Sequence, residues 1–470
     1  MSAKRTGFAG LAARNGGRAA LATLVAILLL GLGLRADYAW QGRAPVFDAV
    51  AYGHIAQSLD EDRGFTLGRE ATQPAGNYSP GLPLFVAGLY KLSGGVHERF
   101  ARVVLALVGA LSVLFAYLIG RRLSGPAAGL IGAFAVAIYP AFLEYQGMLM
   151  GEPLAATLLS GAVLAMPWAA ERERRATWLL PGALLGGLAM VRPEYLGVAI
   201  LLALVVFATN PRRWAENGPI SSVFGPSAAG LARAAVLLVG FAIVVAPWTV
   251  RNAVALGRFV PLSTGGGQVL FSGAYIPSGG NPQQVGQAVL ERHPGLRRRL
   301  AAEYLRPGAA PTLGAVLARA RLEQILAALA AQRYPDMPSD AALGRMGRER
   351  LWSDIAEEPL EYAGFVASKV GAIWSHGPRD VMRRPLWEAL HWALVAFGLL
   401  GLIVLARQRR WEALVLATIL LSITAISALL VASPRRVLAM LPLVAALAGV
   451  GAVWLGSRLA AQAGHARQRG

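Results

Sequence analysis

Two carboxylates are the residues of this sequence best suited to chemistry. Asp48 follows the first long apolar run and has apolar neighbours at Val46 and Val50, and Glu152 stands at the start of a later apolar run. Partial removal from water makes a carboxylate a stronger base, which suits a group that takes a proton from a hydroxyl. We therefore interpret Asp48 as a candidate general base and Glu152 as a second acid, with Glu144 as a weaker candidate.

Both acids also have an ordinary structural interpretation. Asp48 can be the first-turn acid of a helix over residues 49–60, and Glu152 followed by Pro153 is typical of a helix start. Hard divalent cations prefer carboxylate oxygens, so the pattern also leaves open a divalent metal ion held by Asp48 and Glu152.

Four arginines stand at the ends of apolar runs: Arg192, Arg251, Arg435 and Arg436. Charges at membrane depth are costly and usually have a partner or a function. Because a guanidinium binds phosphate through two hydrogen bonds, we interpret Arg251, Arg435 and Arg436 as candidates for a phosphate site. The alternative is contact with lipid phosphates, and for Arg192 we favour a structural pair with Glu194.

Histidine and cysteine offer less. His54, His97 and His376 have no paired metal-binding spacing, so a histidine metal site has little support. His54 stays a candidate substrate-binding residue because it follows Asp48 on one predicted helix, although packed or solvated histidines are commoner. The chain has no cysteine, which excludes disulfides and thiolate chemistry.

Composition defines the class of protein that must position these residues. The 470 residues are 55% hydrophobic and 15% charged, with a mean hydropathy of +0.49, which predicts a polytopic membrane protein. The net charge of +19 comes from arginines in short loops between apolar runs. Such loops are typical of the cytoplasmic side of a membrane, so we expect no nucleic-acid partner.

About ten apolar runs are long enough to cross a bilayer, so we predict about ten transmembrane helices. They lie near 19–38, 100–120, 125–145, 152–170, 177–191, 194–209, 231–249, 387–406, 411–431 and 436–456. We predict an all-α protein with an N-terminal membrane module over 1–250 that includes a first loop at 39–99. A loop region over 251–386 with amphipathic helices follows, and then C-terminal membrane helices and a basic tail over 387–470.

The distribution of arginine gives an orientation. Basic loops at 121–122, 171–175, 210–213 and 407–410, and basic tails at both ends, are expected to face the cytoplasm. The first loop, the 144–152 segment, the loop region and the turn at 433–436 then lie together on the other face. The sequence therefore predicts that Asp48, Glu152 and the arginines at the ends of later helices reach one face, outside the membrane.

The order of several short motifs resembles the GT-C membrane glycosyltransferases, in particular the bacterial protein-mannosyltransferase and aminoarabinose-transferase-like group. The matching segments are Asp48 with Tyr52, Gly64-Phe65, Tyr78-Ser79-Pro80-Gly81-Leu82-Pro83-Leu84, Met150-Gly151-Glu152-Pro153-Leu154, Val191-Arg192-Pro193-Glu194, Ala246-Pro247-Trp248-Thr249-Val250-Arg251-Asn252 and Pro434-Arg435-Arg436. Many relatives have an acidic pair in the first loop, whereas Ala49 follows Asp48 here. That difference leaves metal dependence open.

The resemblance implies transfer of a sugar from a polyprenyl-phosphate donor to a hydroxyl of a glycan, lipid or protein acceptor. The transfer would take place at the extracytoplasmic face of a bacterial cytoplasmic membrane. Asp48 would be the base and Glu152 a second acid, and Arg251 with Arg435 or Arg436 would bind the donor phosphate. Tyr52 and Tyr78 would contact substrate.

Two other functions fit the same sequence, namely a transporter or flippase of a lipid-linked saccharide and an inactive assembly partner. For a transferase, the prenyl chain is expected in a groove near Tyr90, Phe100 and Phe365.

Overall fold

The structure is a computed structural model that describes residues 3–46, 48–68, 73–172, 174–210 and 225–467, with side chains from Gly17 onward except at 282–283. Phe47, Arg212, Arg213 and Arg469, which belong to predicted features, lie outside these ranges. The described residues form α-helices and no β-sheet, apart from one backbone bridge between Thr66 and Pro74.

Ten helices lie in the described residues of the N-terminal half. They are α1 (Ala3–Gln41), α2 (Asp48–Asp60), α3 (Gly81–Ser93), α4 (Glu98–Ser124), α5 (Pro126–Ile138), α6 (Pro140–Glu144), α7 (Glu152–Glu171), α8 (Leu179–Val191), α9 (Tyr195–Ala208) and α10 (Ala228–Leu256) among the described residues.

The loop region contains seven helices and the C-terminal part three, counted over the same residues. They are α11 (Gly266–Ala274), α12 (Pro282–Arg292), α13 (Pro294–Tyr304), α14 (Leu313–Leu317), α15 (Leu322–Arg333), α16 (Ser339–Glu357), α17 (Pro359–Trp374), α18 (Pro385–Arg407), α19 (Trp411–Leu429) and α20 (Val437–Arg467).

The protein is a multi-pass membrane protein. Within the described part of the chain, seven helices are long and apolar enough to cross a bilayer, or eight if α5 and α6 form one bent span. All ten predicted runs are helical, which confirms the all-α membrane fold. The runs at 177–191 and 194–209 form shorter apolar helices, because Arg192, Pro193 and Glu194 interrupt them.

Close helix packing depends on glycine at the α8–α10 crossing. A methyl group on Gly182 would lie 2.0 Å from the Leu237 carbonyl oxygen, and one on Gly240 would lie 2.3 Å from that of Leu179. The two backbones therefore touch at two places, which fixes α8 against a long neighbouring helix.

A buried arginine stabilises the bend between α5 and α6, which is 53°. Pro140 has no N–H, so it cannot donate to the Val136 carbonyl one turn earlier. Arg35 of α1 donates to Val136 O at 2.9 Å and to Ala137 O at 3.1 Å instead. The sequence analysis missed Arg35, since nothing in the pattern marks an arginine inside the first apolar run as a partner of a broken helix.

The loop region has a hydrophobic core of its own, formed by α11 to α16. Asp340 at the start of α16 accepts hydrogen bonds from the backbone N–H groups of Gly267 and Gln268, at 2.9 and 3.1 Å. The amphipathic helices predicted for the loop region are therefore present, and α11 to α16 pack on each other. Their contact with a membrane surface stays a prediction.

Candidate active site

Arg435 joins the two acids that the sequence analysis singled out. Its Nη2 lies 2.7 Å from Asp48 Oδ2, and its Nε lies 2.5 Å from Glu152 Oε1. Asp48 is the first residue of α2 and Glu152 the first of α7, and Arg435 lies in a short 3-10 turn before α20. Two helix starts and one turn thus bring their charges to one point.

Arg192 has a different main partner from the one expected. It donates a hydrogen bond to Glu152 Oε1, whereas its Nη1 is 3.9 Å from Glu194. The pair with Glu194 is present but long. Arg192 therefore belongs to the same cluster as Glu152 and is more than a local partner of its neighbour in sequence.

Arg436 extends the cluster. Its Nε lies 3.6 Å from Glu194 Oε1, and its Nη1 donates to the Val431 carbonyl at 2.7 Å. We call the six residues the charge network: Asp48, Glu152, Arg192, Glu194, Arg435 and Arg436. Three carboxylates balance three guanidinium groups in it, so it can be partly buried without a large uncompensated charge.

The members differ in access. The Asp48 side chain is 38% exposed, whereas Arg435 is 18% exposed and Glu152 is fully buried. The second oxygen of Glu152, Oε2, has no hydrogen-bond partner among the described residues. Asp48 is therefore the acid that a substrate can reach. Glu152 is buried and forms ion pairs with Arg192 and Arg435.

Two tyrosines line the approach to the network. Tyr52 lies one helical turn after Asp48 on α2, and its ring meets that of Tyr78 edge-on at 6.1 Å. Burial, followed by the Asp48 charge, raises the pKa of Tyr52, and burial also raises the pKa of Tyr78. Both hydroxyls therefore stay protonated and can donate hydrogen bonds.

Glycines let three chain segments converge next to Arg192. A methyl group on Gly81 would lie 2.8 Å from backbone atoms of Met190 and Val191, and one on Gly151 would lie 2.9 Å from the Val191 side chain. The starts of α3 and α7 therefore both pack on the last residue of α8. This contact explains why both glycines directly precede functional segments.

Two predicted site residues lie apart from the network. His54 is exposed on α2, because six residues turn the helix about 240° from Asp48. Arg251 packs over the rings of Trp248 and Phe65, at 4.7 and 5.4 Å, and donates to Asn252 Oδ1 at 3.1 Å. It faces the first loop from α10 and makes no ion pair with a described acid.

The region around Glu144 adds residues that the sequence analysis did not identify. Glu144 accepts a hydrogen bond from Arg379 at 2.7 Å, and Arg379 lies 6.0 Å from the ring centre of Tyr145. The buried Tyr145 interacts electrostatically with Glu152 and Arg435. An aromatic residue in an apolar stretch carries no signal of such a position, since burial explains it equally well.

The carboxylates as arranged do not fit a divalent cation. Asp48 and Glu152 both point their oxygens at the Arg435 guanidinium, which lies between them. In the part of the chain that the structure describes, no group of three acidic or histidine side chains lies close enough to hold a metal. We derive no chemical step from a metal ion.

One family model matches part of the chain. Residues 77–248 match the dolichyl-phosphate-mannose-protein mannosyltransferase family, a segment that includes Glu152, Arg192 and Glu194. No curated protein sequence matches the chain.

Solved structures give the fold. The oligosaccharyltransferase of Archaeoglobus fulgidus in its apo form has a TM-score of 0.55 at 17% identity, over 96% of this chain and 52% of that one. Its complex with an inhibitory peptide and a dolichol-phosphate has a TM-score of 0.54 at 17% identity, with the same coverage of 96% and 52%. ArnT from Cupriavidus metallidurans bound to undecaprenyl phosphate has a TM-score of 0.40 at 15% identity, over 91% of this chain and 77% of that one.

The chain spans about half the length of the oligosaccharyltransferase chains that it matches. Its helices follow their membrane fold, and its residues 77–248 carry the mannosyltransferase family signature. The comparisons therefore show the fold of the chain and a family likeness over residues 77–248.

Proposed function

We propose that the protein transfers a sugar from a polyprenyl-phosphate donor to an acceptor hydroxyl at the charge network. The observation that carries the proposal is the arrangement of one accessible carboxylate, Asp48, beside a cluster of arginines. Sugar transfer from a phosphate leaving group needs a base for the acceptor and cations for the departing phosphate. Both are present within one cluster.

In the proposed reaction Asp48 accepts the proton of the acceptor hydroxyl. The acceptor oxygen forms a bond to the anomeric carbon of the sugar while the bond from that carbon to the phosphate oxygen breaks. The electron pair of the broken bond leaves with the polyprenyl phosphate. Arg435 and Arg436 stabilise the negative charge that develops there, because preorganised donors act most strongly on developing charge.

Arg435 has two tasks in this mechanism. In the structure it forms an ion pair with Asp48, which keeps that carboxylate in place. A donor phosphate that draws Arg435 toward itself frees Asp48 to accept a proton. Donor binding would then activate the base, and an acceptor alone would not. Arg251 stays a candidate for a more distant contact with the donor.

An apolar cavity of about 770 Å³ between α1, α5, α18 and α20 supports a lipid-linked donor. Its lining includes the polar pair Tyr139 and His391, 2.9 Å apart, and the imidazole also donates to the Trp374 carbonyl at 3.0 Å. From that wall the chain continues through α6 to Tyr145, next to the network. The groove expected near Tyr90, Phe100 and Phe365 stays a prediction beside this cavity.

The proposal extends to orientation. By the distribution of arginine, the network faces the extracytoplasmic side of a bacterial cytoplasmic membrane, and both termini face the cytoplasm. The dolichol-phosphate bound to the archaeal oligosaccharyltransferase is consistent with a prenyl-phosphate carrier here. An assay must therefore test several donor sugars and several acceptors.

The test uses the purified full chain in lipid vesicles, supplied with a panel of radiolabelled polyprenyl-phosphate sugars. Transfer to water or to an added acceptor by the wild type, with none by Asp48→Asn, supports a transferase. Movement of the labelled lipid across the vesicle without cleavage would overturn it in favour of a flippase. Binding without either outcome would support an inactive partner.

A further inference from the structure

Lys369 is a buried cation outside the charge network. It lies on α17, is 1% exposed, and belongs to no ion pair among the described residues. Its ammonium group donates to the Gly273 carbonyl at 2.9 Å and to the Leu430 carbonyl at 2.5 Å. A buried ammonium group is expensive unless its hydrogen bonds are satisfied, so these two contacts are the reason that it can remain there.

The Leu430 carbonyl is the first acceptor after the end of α19. The segment from Leu430 to Arg436 leads from that helix end to Arg435, and part of it has no regular secondary structure. Arg436 holds the same segment from within, through its hydrogen bond to the Val431 carbonyl at 2.7 Å. The carbonyls of the consecutive residues Leu430 and Val431 therefore each accept a hydrogen bond from a cation. Lys369 of α17 donates to the first and Arg436 of the segment itself donates to the second.

Helix α11 of the loop region contacts the backbone of Leu430. A methyl group on Gly273 would lie 2.2 Å from the carbonyl carbon and oxygen of Leu430. The backbones of Gly273 and Leu430 are thus in direct contact, and Lys369 bridges their two carbonyls. A second tie between α17 and α19 is the hydrogen bond from Trp374 Nε1 to Thr424 at 3.2 Å.

The residue type fits the space. Of the 45 Lys and Arg residues only three are lysines, Lys4, Lys91 and Lys369. A methyl group on Gly280 would already lie 3.1 Å from Cδ and Cε of Lys369, so the side chain is enclosed along its length. A single ammonium group is also more compact than a planar guanidinium.

We propose that Lys369 is a positioning residue that holds the 430–436 segment so that Arg435 stays between Asp48 and Glu152. The inference rests on the proposed function and adds to it a role for the loop region, which then takes part in ordering the site. Lys369 touches no reacting atom and acts through Arg435.

Hydrogen exchange tests the placement without any activity assay. In Lys369→Met, backbone amides over 430–436 should exchange faster than in the wild type, while those in the middle of α19 stay unchanged. Lys91→Met is the matched control, because Lys91 is an exposed lysine paired with Asp62 at 2.8 Å. Unchanged exchange over 430–436 in a folded Lys369→Met would overturn the inference and leave the proposed function intact.

Kinetics test the consequence. A small displacement of a positioned group can lower a rate by about 10²-fold. We expect a fall of that order in kcat for Lys369→Met with little change in KM, and a smaller fall for Lys369→Gln, which keeps a donor. Gly273→Ala should reproduce the loss, and it carries the test if Lys369→Met does not fold.

A double-mutant cycle separates positioning from general damage. If Lys369 acts through Arg435, Lys369→Met should cause little further loss of kcat in an Arg435→Lys background. Additive losses would show an independent structural role and would overturn the inference. If the wild type transfers no sugar, the proposed function fails, and the exchange experiment still decides the placement.

Discussion

Arg435 donates a hydrogen bond of 2.7 Å to Asp48, although 387 positions separate the two residues in the chain. The same guanidinium lies 2.5 Å from the buried Glu152. One arginine from the last part of the chain therefore sets the charge environment of Asp48, the proposed base in the first loop. The predictions below test this arrangement and the elements that support it.

Asp48→Asn should lower the rate of sugar transfer by about 10²- to 10⁴-fold, the usual contribution of a general base. The amide keeps the shape of the side chain but cannot take a proton, so donor binding should persist. The measurement is transfer of labelled sugar beside equilibrium binding of the donor lipid. Asp62→Asn is the control, because Asp62 is an exposed first-loop acid whose side chain is 84% exposed. Equal rates for the two variants would exclude Asp48 as the base.

Arg435→Met should destabilise the protein by about 3 kcal/mol, because it leaves the buried Glu152 with one partner fewer. Thermal unfolding in detergent measures the change. Adding Glu152→Gln should restore most of the stability without restoring transfer, since the penalty comes from the uncompensated carboxylate. A single variant as stable as the wild type would contradict the network as described.

Gly81→Ala should impair transfer more than Gly151→Ala. The methyl group at position 81 would meet the backbone of α8, which cannot move aside, whereas at position 151 it would meet the side chain of Val191. Overpacking of this kind costs about 1–3 kcal/mol and displaces its surroundings, here Arg192. Comparison of unfolding temperature and transfer rate for the two variants tests this order, and the reverse order would be inconsistent with the packing.

Ala448→Phe should reduce transfer from long-chain donors more than from short-chain analogues. Ala448 lines the apolar cavity, and a phenyl ring there would occupy space that the prenyl chain needs. Rates with donors of two chain lengths give the comparison, and Ala461→Phe on the exposed end of α20 is the control. A uniform loss for both donors would place the chain elsewhere.

Lys369 should make the free energy of unfolding depend on pH. Burial, and next the charge of Arg436, lower its pKa from 10.5 to about 8. Between these values the unfolded chain holds a proton that the folded protein has released, so stability rises with pH, by up to about 1.4 kcal/mol per unit. The gain is absent below pH 8. The difference in unfolding between wild type and Lys369→Met at pH 7 to 10 measures it, and a flat difference would contradict the low pKa.

The membrane class and most helices could be predicted from the sequence because apolar length is a local property. All ten predicted runs are helical, and Asp48, Glu152 and Arg435 were singled out from their residue types and their places beside apolar runs. The two short helices around Arg192 were harder to assign, since a charged break beside proline fits either a loop between spans or an interruption.

The pairing within the site required the tertiary structure. Sequence order favours Glu194 as the partner of Arg192, yet Arg192 donates its hydrogen bond to Glu152. The reason is that the start of α7 packs against the end of α8. Tyr52 and His54 both follow Asp48 closely along the chain, so sequence spacing alone does not separate them. Only Tyr52 lies on the same side of α2 as Asp48. Arg251 is a residue type that binds phosphate, but in the structure its guanidinium packs on the aromatic rings of Phe65 and Trp248.

By itself the sequence determined an all-α membrane protein with acids and arginines at the ends of its helices, because hydropathy and charge act over short stretches of chain. Only the tertiary structure decided which of these charges meet, that Asp48 is accessible while Glu152 is buried, and that Lys369 donates to the Leu430 carbonyl. Those relationships depend on contacts between residues hundreds of positions apart, where backbone approach at single glycines and the demand for hydrogen bonds in a buried environment select the partners.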